Sequence, residues 1–105
     1  MSINQLIEEN YPQQKAIHSY VRDRQNRRAG VLAAVTNPEQ PETVFIGWSR
    51  CNRSMGDRFD PVRGTKIALD RSYRHKGAGI PFTMLEQYNE FRARCEKYFR
   101  GKNVA

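Results

Sequence analysis

Long apolar runs are missing from this chain. None approaches the ~18 residues that cross a bilayer as a helix, so no membrane span is expected. Glu8 and Glu9 sit where a signal peptide would be basic, and no apolar core follows them. A cytoplasmic location is therefore expected. Cysteine is scarce: Cys51 and Cys95 stand 44 positions apart with no C-x-x-C pair. Two reduced thiols are the reading that follows. His18, His75, Cys51 and Cys95 are scattered without the spacing of metal ligands, so neither a metal nor another cofactor is expected. No GxxxxGK[ST] loop is present, and no RNP, KH, helix-turn-helix or zinc-finger signature.

Acidic residues are also short. Eleven Asp and Glu face 18 Lys and Arg, a net charge of +7 over 105 residues. That length makes one small domain, and that balance favours a polyanionic partner. Much of the excess sits between Arg50 and Lys76, where eight Lys and Arg face three Asp. The apolar fraction, 38%, is low for a compact globule. A tail, a wet surface or a partner subunit would account for it.

The pattern along the chain gives an α+β fold. Ile3, Leu6 and Ile7 predict a short helix from Ile3 to Asn10, ended by Tyr11-Pro12. Residues 1–15 are expected as an arm on a single domain covering 16–105. Alternation of Ile17, Ser19 and Val21 with His18, Tyr20 and Arg22 predicts a strand over 16–24. A hairpin loop follows at 25–30, where Asn26 tolerates positive φ and Gly30 suits a bulge or turn exit. Val31 to Thr36 reads as a buried strand, its alanines inviting a close neighbour. Pro38 and Pro41 mark a loop. Thr43 to Ser49 is a third strand with apolar residues on both faces.

Asp60 and Pro61 predict a helix start, the first as N-cap and the second at N1. Val62, Thr65, Leu69 and Tyr73 form its apolar stripe, widened by Ile67 and Ala68, with Gly64 asking for a close approach. Asp70 is expected to pair with Arg74 one turn on. Thr83 and Glu86 read as a capping box for a last helix. Its stripe is Leu85, Tyr88, Phe91, Cys95, Tyr98 and Phe99, and Gly101 stops it. The architecture expected is a three-stranded antiparallel meander packed by two C-terminal helices, with the short N-terminal helix. So small a sheet leaves a face or edge open, and a homodimer is expected to cover it.

The stretch Ile46-Gly47-Trp48-Ser49, Cys51-Asn52, Asp57, Phe59-Asp60, Gly64, Ile67-Ala68 and Arg71 resembles a loose group of small bacteriophage accessory proteins. The likeness extends to Ile80-Pro81 and Tyr98-Phe99. It implies a phage protein of the host-takeover or anti-defence kind, acting in the host cytoplasm. It assigns no functional residues.

The chemistry expected is anion binding. Arg50, Arg53, Ser54 and Arg58 lie in a loop that enters a helix start, with Arg63 and Lys66 on the helix behind it. Guanidinium forks pair bidentately with phosphate, and a helix start adds N–H donors. Asp60 counts against this, since it already caps that helix. Trp48, Phe59 and Tyr20 are candidates to stack on a base, although core positions are the plainer role for Trp48 and Phe59. Arg24, Arg27, Arg28, Arg71 and Arg74 make a secondary basic cluster. A nucleotide or a nucleic acid is the expected ligand; docking on an acidic host protein is the alternative. Asp57, Asp60 and Asp70 with Lys66, or His18 with His75, offer only a thin case for hydrolysis. A non-enzymatic role is expected.

Overall fold

The computed structural model describes residues 2–12, 14–51, 56, 58–74 and 79–105. The chain runs α1 (Ile3–Asn10), β1 (Ala16–Arg22), β2 (Arg28–Thr36), β3 (Thr43–Arg50), α2 (Pro61–Tyr73), a 3-10 turn (Phe82–Met84), α3 (Leu85–Tyr98) and β4 (Asn103–Val104). The fold is α+β. The sheet order is β1-β2-β3-β4; the first two pairings are antiparallel and β3–β4 is parallel.

The three expected strands are thus joined by a fourth. After α3, Gly101 takes φ 81 and redirects the chain. Asn103 N–H then donates to Glu42 O at 2.8 Å, and Ala105 N–H to Val44 O at 2.9 Å. Arg92 adds a bond to Val104 O at 2.7 Å.

Both sheet faces are covered. Side chains alternate along a strand, so β2 divides its residues between two layers. Leu32 and Ala34 pack with Ile17, Val44 and Ile46 against Phe91, Cys95 and Phe99, the α3 side. Val31, Ala33 and Val35 pack with Tyr11, Ala68 and Leu69, the α1 and α2 side. This is why β2 reads as an unbroken small and apolar run. Each face of the sheet thus carries helical cover among the described residues. At the end of β1 a side chain of α3 meets the strand backbone. The Gln87 amide makes two bonds to the Arg22 backbone, at 2.8 and 3.0 Å.

α2 lies unusually close to the sheet. A Cβ at Gly47 would fall 2.5 Å from Ser72 N, and closer still to Ala68 O. Gly47 thus lets the helix backbone rest on β3. Ser72 uses that proximity: its hydroxyl accepts from Val35 N–H at 3.1 Å and donates to Phe45 O at 2.5 Å. Ser49 Oγ donates to Gly64 O at 2.8 Å. The buried stripe of α2 is consequently Thr65, Ala68, Leu69 and Ser72, with Val62 and Ile67 only half-buried. Asp60 caps the helix as expected, accepting from Val62 N–H at 3.0 Å and Arg63 N–H at 3.1 Å.

Two local expectations are corrected. Asp70 does not pair with Arg74; it accepts a hydrogen bond from the Tyr11 hydroxyl, which ties α1 to α2. Tyr11 is buried, and its ring lies 5.3 Å from that of Tyr73. Burial, then the Asp70 bond, pushes the Tyr11 pKa well above its usual value. The Thr83–Glu86 capping box does not form either. The chain winds as a 3-10 turn from Pro81, Met84 is drawn into the core, and α3 begins at Leu85 without a side-chain cap.

Candidate anion-binding surface

β3 delivers Arg50 and Cys51 to one end of the sheet, and a cavity opens on each side of them. The smaller, about 200 Å³, is lined by Arg50, Arg58, Phe59, Asp60, Arg63 and Gly64, among others, at the N-terminal end of α2. The larger is a groove of about 990 Å³ between the β1–β2 hairpin and the start of α3. Its charged lining is Arg22, Asp23, Arg24, Arg27, Arg50 and Glu86; Phe82, Met84 and Leu85 supply an apolar wall.

Asp23 organises the hairpin tip. Its carboxylate accepts from Gln25 N–H at 3.0 Å, Arg27 N–H at 2.9 Å and Arg27 Nε at 3.0 Å. The Arg27 backbone N–H, followed by its side chain, holds the Asp23 pKa below the usual carboxylate value. Asn26 completes the turn with φ 61, as its position suggested. Arg22 Nη1 donates to Asn26 O at 3.2 Å.

The basic residues named from the sequence therefore separate by what they touch. Arg27 belongs to Asp23. Arg28 lies 5.1 Å from the Tyr20 ring centroid and 5.3 Å from that of Phe59. Arg71 lies 4.5 Å from the Trp48 ring centroid and donates to Trp48 O at 2.7 Å. Arg24, Arg50, Arg58 and Arg63 line the cavities, and their guanidinium groups have no hydrogen-bond or ion-pair partner among the described residues. Lys66 and Arg74 are exposed on α2 and at its C-terminal end and line neither cavity. Arg53 and Ser54 lie outside the described residues.

The three rings considered for stacking sit in packing, the plainer role expected for Trp48 and Phe59. Trp48 carries Arg71 on its ring, and Tyr20 and Phe59 meet edge to face at 5.8 Å beneath Arg28. All three are half-buried in packing. Among the described residues the most exposed ring is Phe82, at 88% exposure, with Leu85 three positions on. Phe82 was not distinguishable in advance, because its spacing from Leu85 continues the apolar stripe of α3 backwards.

Among the described residues, no three His, Cys, Asp or Glu converge to hold a metal ion. Cys95 is fully buried, and burial pushes its thiol up to about 12. Cys51 is half-buried between the two cavities. No helix among the described residues is long and apolar enough to cross a membrane. Comparisons with known protein families, with curated proteins and with solved structures find no match.

Proposed function

We propose that this is a non-enzymatic binding protein for a phosphate-bearing ligand, a nucleic acid or a nucleotide, held at the end of β3. The observation that carries this reading is the convergence of Arg24, Arg50, Arg58 and Arg63, without internal partners, on two adjoining cavities. Unpaired guanidinium groups gathered at one site repel one another, and a polyanion relieves that repulsion. The smaller cavity is below the ~300–1,000 Å³ of most small-molecule sites. It has room for a phosphate group rather than a whole nucleotide. The groove beyond Arg50 has room for the rest. The resemblance to phage accessory proteins adds a setting, the cytoplasm of an infected bacterium.

The test is binding of labelled oligonucleotides and of nucleoside phosphates, at about 50 and about 200 mM salt. Arg50→Ala is expected to cost roughly tenfold or more in affinity, as for a lost charge-assisted contact. Arg63→Ala should behave similarly. Arg74→Ala, outside both cavities, should cost less than threefold, a bound of about 0.6 kcal/mol. Equal losses at all three would turn the site into a diffuse basic face. No binding of any phosphate ligand would end the proposal. The exposed Phe82 and Leu85 beside the arginines favour one second reading, docking on an acidic protein surface.

A further inference from the structure

Phe82 is the most exposed large apolar side chain among the described residues. It is not a frayed residue. Pro81 precedes it with φ −59 and ψ 140, and the 3-10 turn it opens is closed by Met84 N–H donating to Pro81 O at 2.9 Å. Met84 is 2% exposed, anchored among Ile17, Leu32 and Phe91 of the core. Residues two apart in a 3-10 turn point to different sides, so the anchoring of Met84 helps to set Phe82 outward. The ring stands on the wall of the larger groove, which Arg24 and Arg50 also line.

The state of this ring separates it from the other aromatic candidates. Trp48 is covered by Arg71, and Tyr20 and Phe59 by Arg28. Phe82 makes no ring or cation–π contact among the described residues. An uncovered phenyl face beside guanidinium groups without partners is the composition of a single-strand site: stacking for bases, charge for the backbone. A duplex keeps its base faces inside the stack and offers this ring nothing to cover it. A protein partner could bury Phe82 but would need carboxylates for the arginines as well.

We propose that the groove binds single-stranded nucleic acid, with a base stacked on Phe82 and the flanking phosphates on Arg24 and Arg50. This rests on the phosphate-ligand reading above and narrows it to one ligand class. Stacking on an aromatic side chain tolerates any base, so little sequence preference is expected. The smaller cavity, sharing Arg50, receives the next phosphate at Arg58 and Arg63.

The experiment measures fluorescence anisotropy of the full chain with three labelled probes: oligo-dT, an abasic strand of the same length, and a duplex. Parent, Phe82→Ala, Phe82→Trp and Arg50→Ala are compared across a salt series. Phe82 is too exposed to support the fold, so Phe82→Ala should melt with the parent. It is expected to weaken oligo-dT about tenfold and to leave the abasic strand and the salt slope unchanged. Phe82→Trp should restore binding, and its added indole emission should fall when oligo-dT is bound. Arg50→Ala should weaken oligo-dT and the abasic strand alike and lower the salt slope by about one. If Phe82→Ala binds oligo-dT like the parent while Arg50→Ala does not, stacking is overturned and the phosphate reading survives. A duplex bound more tightly than oligo-dT also overturns the inference. If no probe binds in a salt-dependent way, both readings fall. Binding of an acidic protein through Phe82 in place of any oligonucleotide would likewise overturn it.

Discussion

Gly47→Ala is the sharpest perturbation of the platform that carries the site. The added methyl would lie 2.5 Å from Ser72 N and 3.0 Å from Ala68 C, and closer than either to Ala68 O. These are backbone atoms of α2, so no rotamer change relieves the overlap. The helix would have to lift off β3. Overpacking of this kind costs about 1–3 kcal/mol. Lifting also pulls the Ser72 hydroxyl away from Val35 N–H and Phe45 O. A buried donor left without its partner adds about 1–3 kcal/mol. The expected loss is about 2–6 kcal/mol, against about 5–15 kcal/mol for a whole domain. Gly64→Ala is the control. Its methyl would meet Val31 Cγ2 at 3.1 Å and Ser49 Oγ at 3.2 Å, both side-chain ends. Alanine gains about 1 kcal/mol of helix propensity there, so the variant should stay within about 1 kcal/mol of the parent. Urea unfolding followed by circular dichroism separates the two. With a slope of about 2 kcal/mol/M, Gly47→Ala should lower the midpoint by about 1 M or more. A midpoint unchanged from the parent would mean that α2 does not seat on β3 as described.

Two further outcomes follow from contacts already given. Arg71→Ala removes both the bond to Trp48 O and the cation on the indole; a loss of about 1.5–3 kcal/mol is expected, with red-shifted tryptophan emission and little change in ligand affinity. Arg71→Lys keeps the charge but not the planar fork, and should recover less than half of that loss. His18 is held neutral, first by burial and then by the charge of Arg94. The unfolded chain takes up that proton near pH 6.5 and the folded chain only at lower pH, so stability should decline as pH falls from about 7 through 6.5. His18→Gln should show a shallower decline in melting temperature between about pH 7 and 5.5, and an equal decline would refute the assignment.

The helices and the first three strands were legible because local chemistry marks their ends. Asp60-Pro61 can start a helix but cannot continue one, and Tyr11-Pro12 can end one. β4 carries no such mark. Two residues have no periodicity, and Asn103–Val104 is a strand because Thr43 and Val44 present a free edge to it. The Thr83–Glu86 pair shows the opposite failure. Its spacing suits a cap, but burial of Met84 tightens the backbone into a 3-10 turn and moves the helix start to Leu85. The closeness of α2 to the sheet was only half visible. Gly64 suggested it from the sequence, yet the tightest approach is at Gly47, a position that a strand reading treats as merely small.

Which arginines are available to a ligand depends on long-range geometry, and spacing cannot report it. Arg27 and Arg28 are neighbours in the chain with separate uses. Arg27 closes the hairpin tip through Asp23, four residues back, a pair that local spacing could have shown. Arg28 crosses to the α2 side and covers Tyr20 and Phe59, whose approach depends on the fold of the whole sheet. Arg71 is assigned in the same way by Trp48, 23 positions earlier. Once Arg28 and Arg71 are committed to aromatic faces and Arg27 to a carboxylate, the cations left beside the cavities among the described residues are those at the end of β3, at the start of α2 and at Arg24. Their position follows from β3 ending where the hairpin, α2 and the turn before α3 all approach it. A ligand that contacts this place meets charge from three elements at once, so no one stretch of sequence could have marked the whole site.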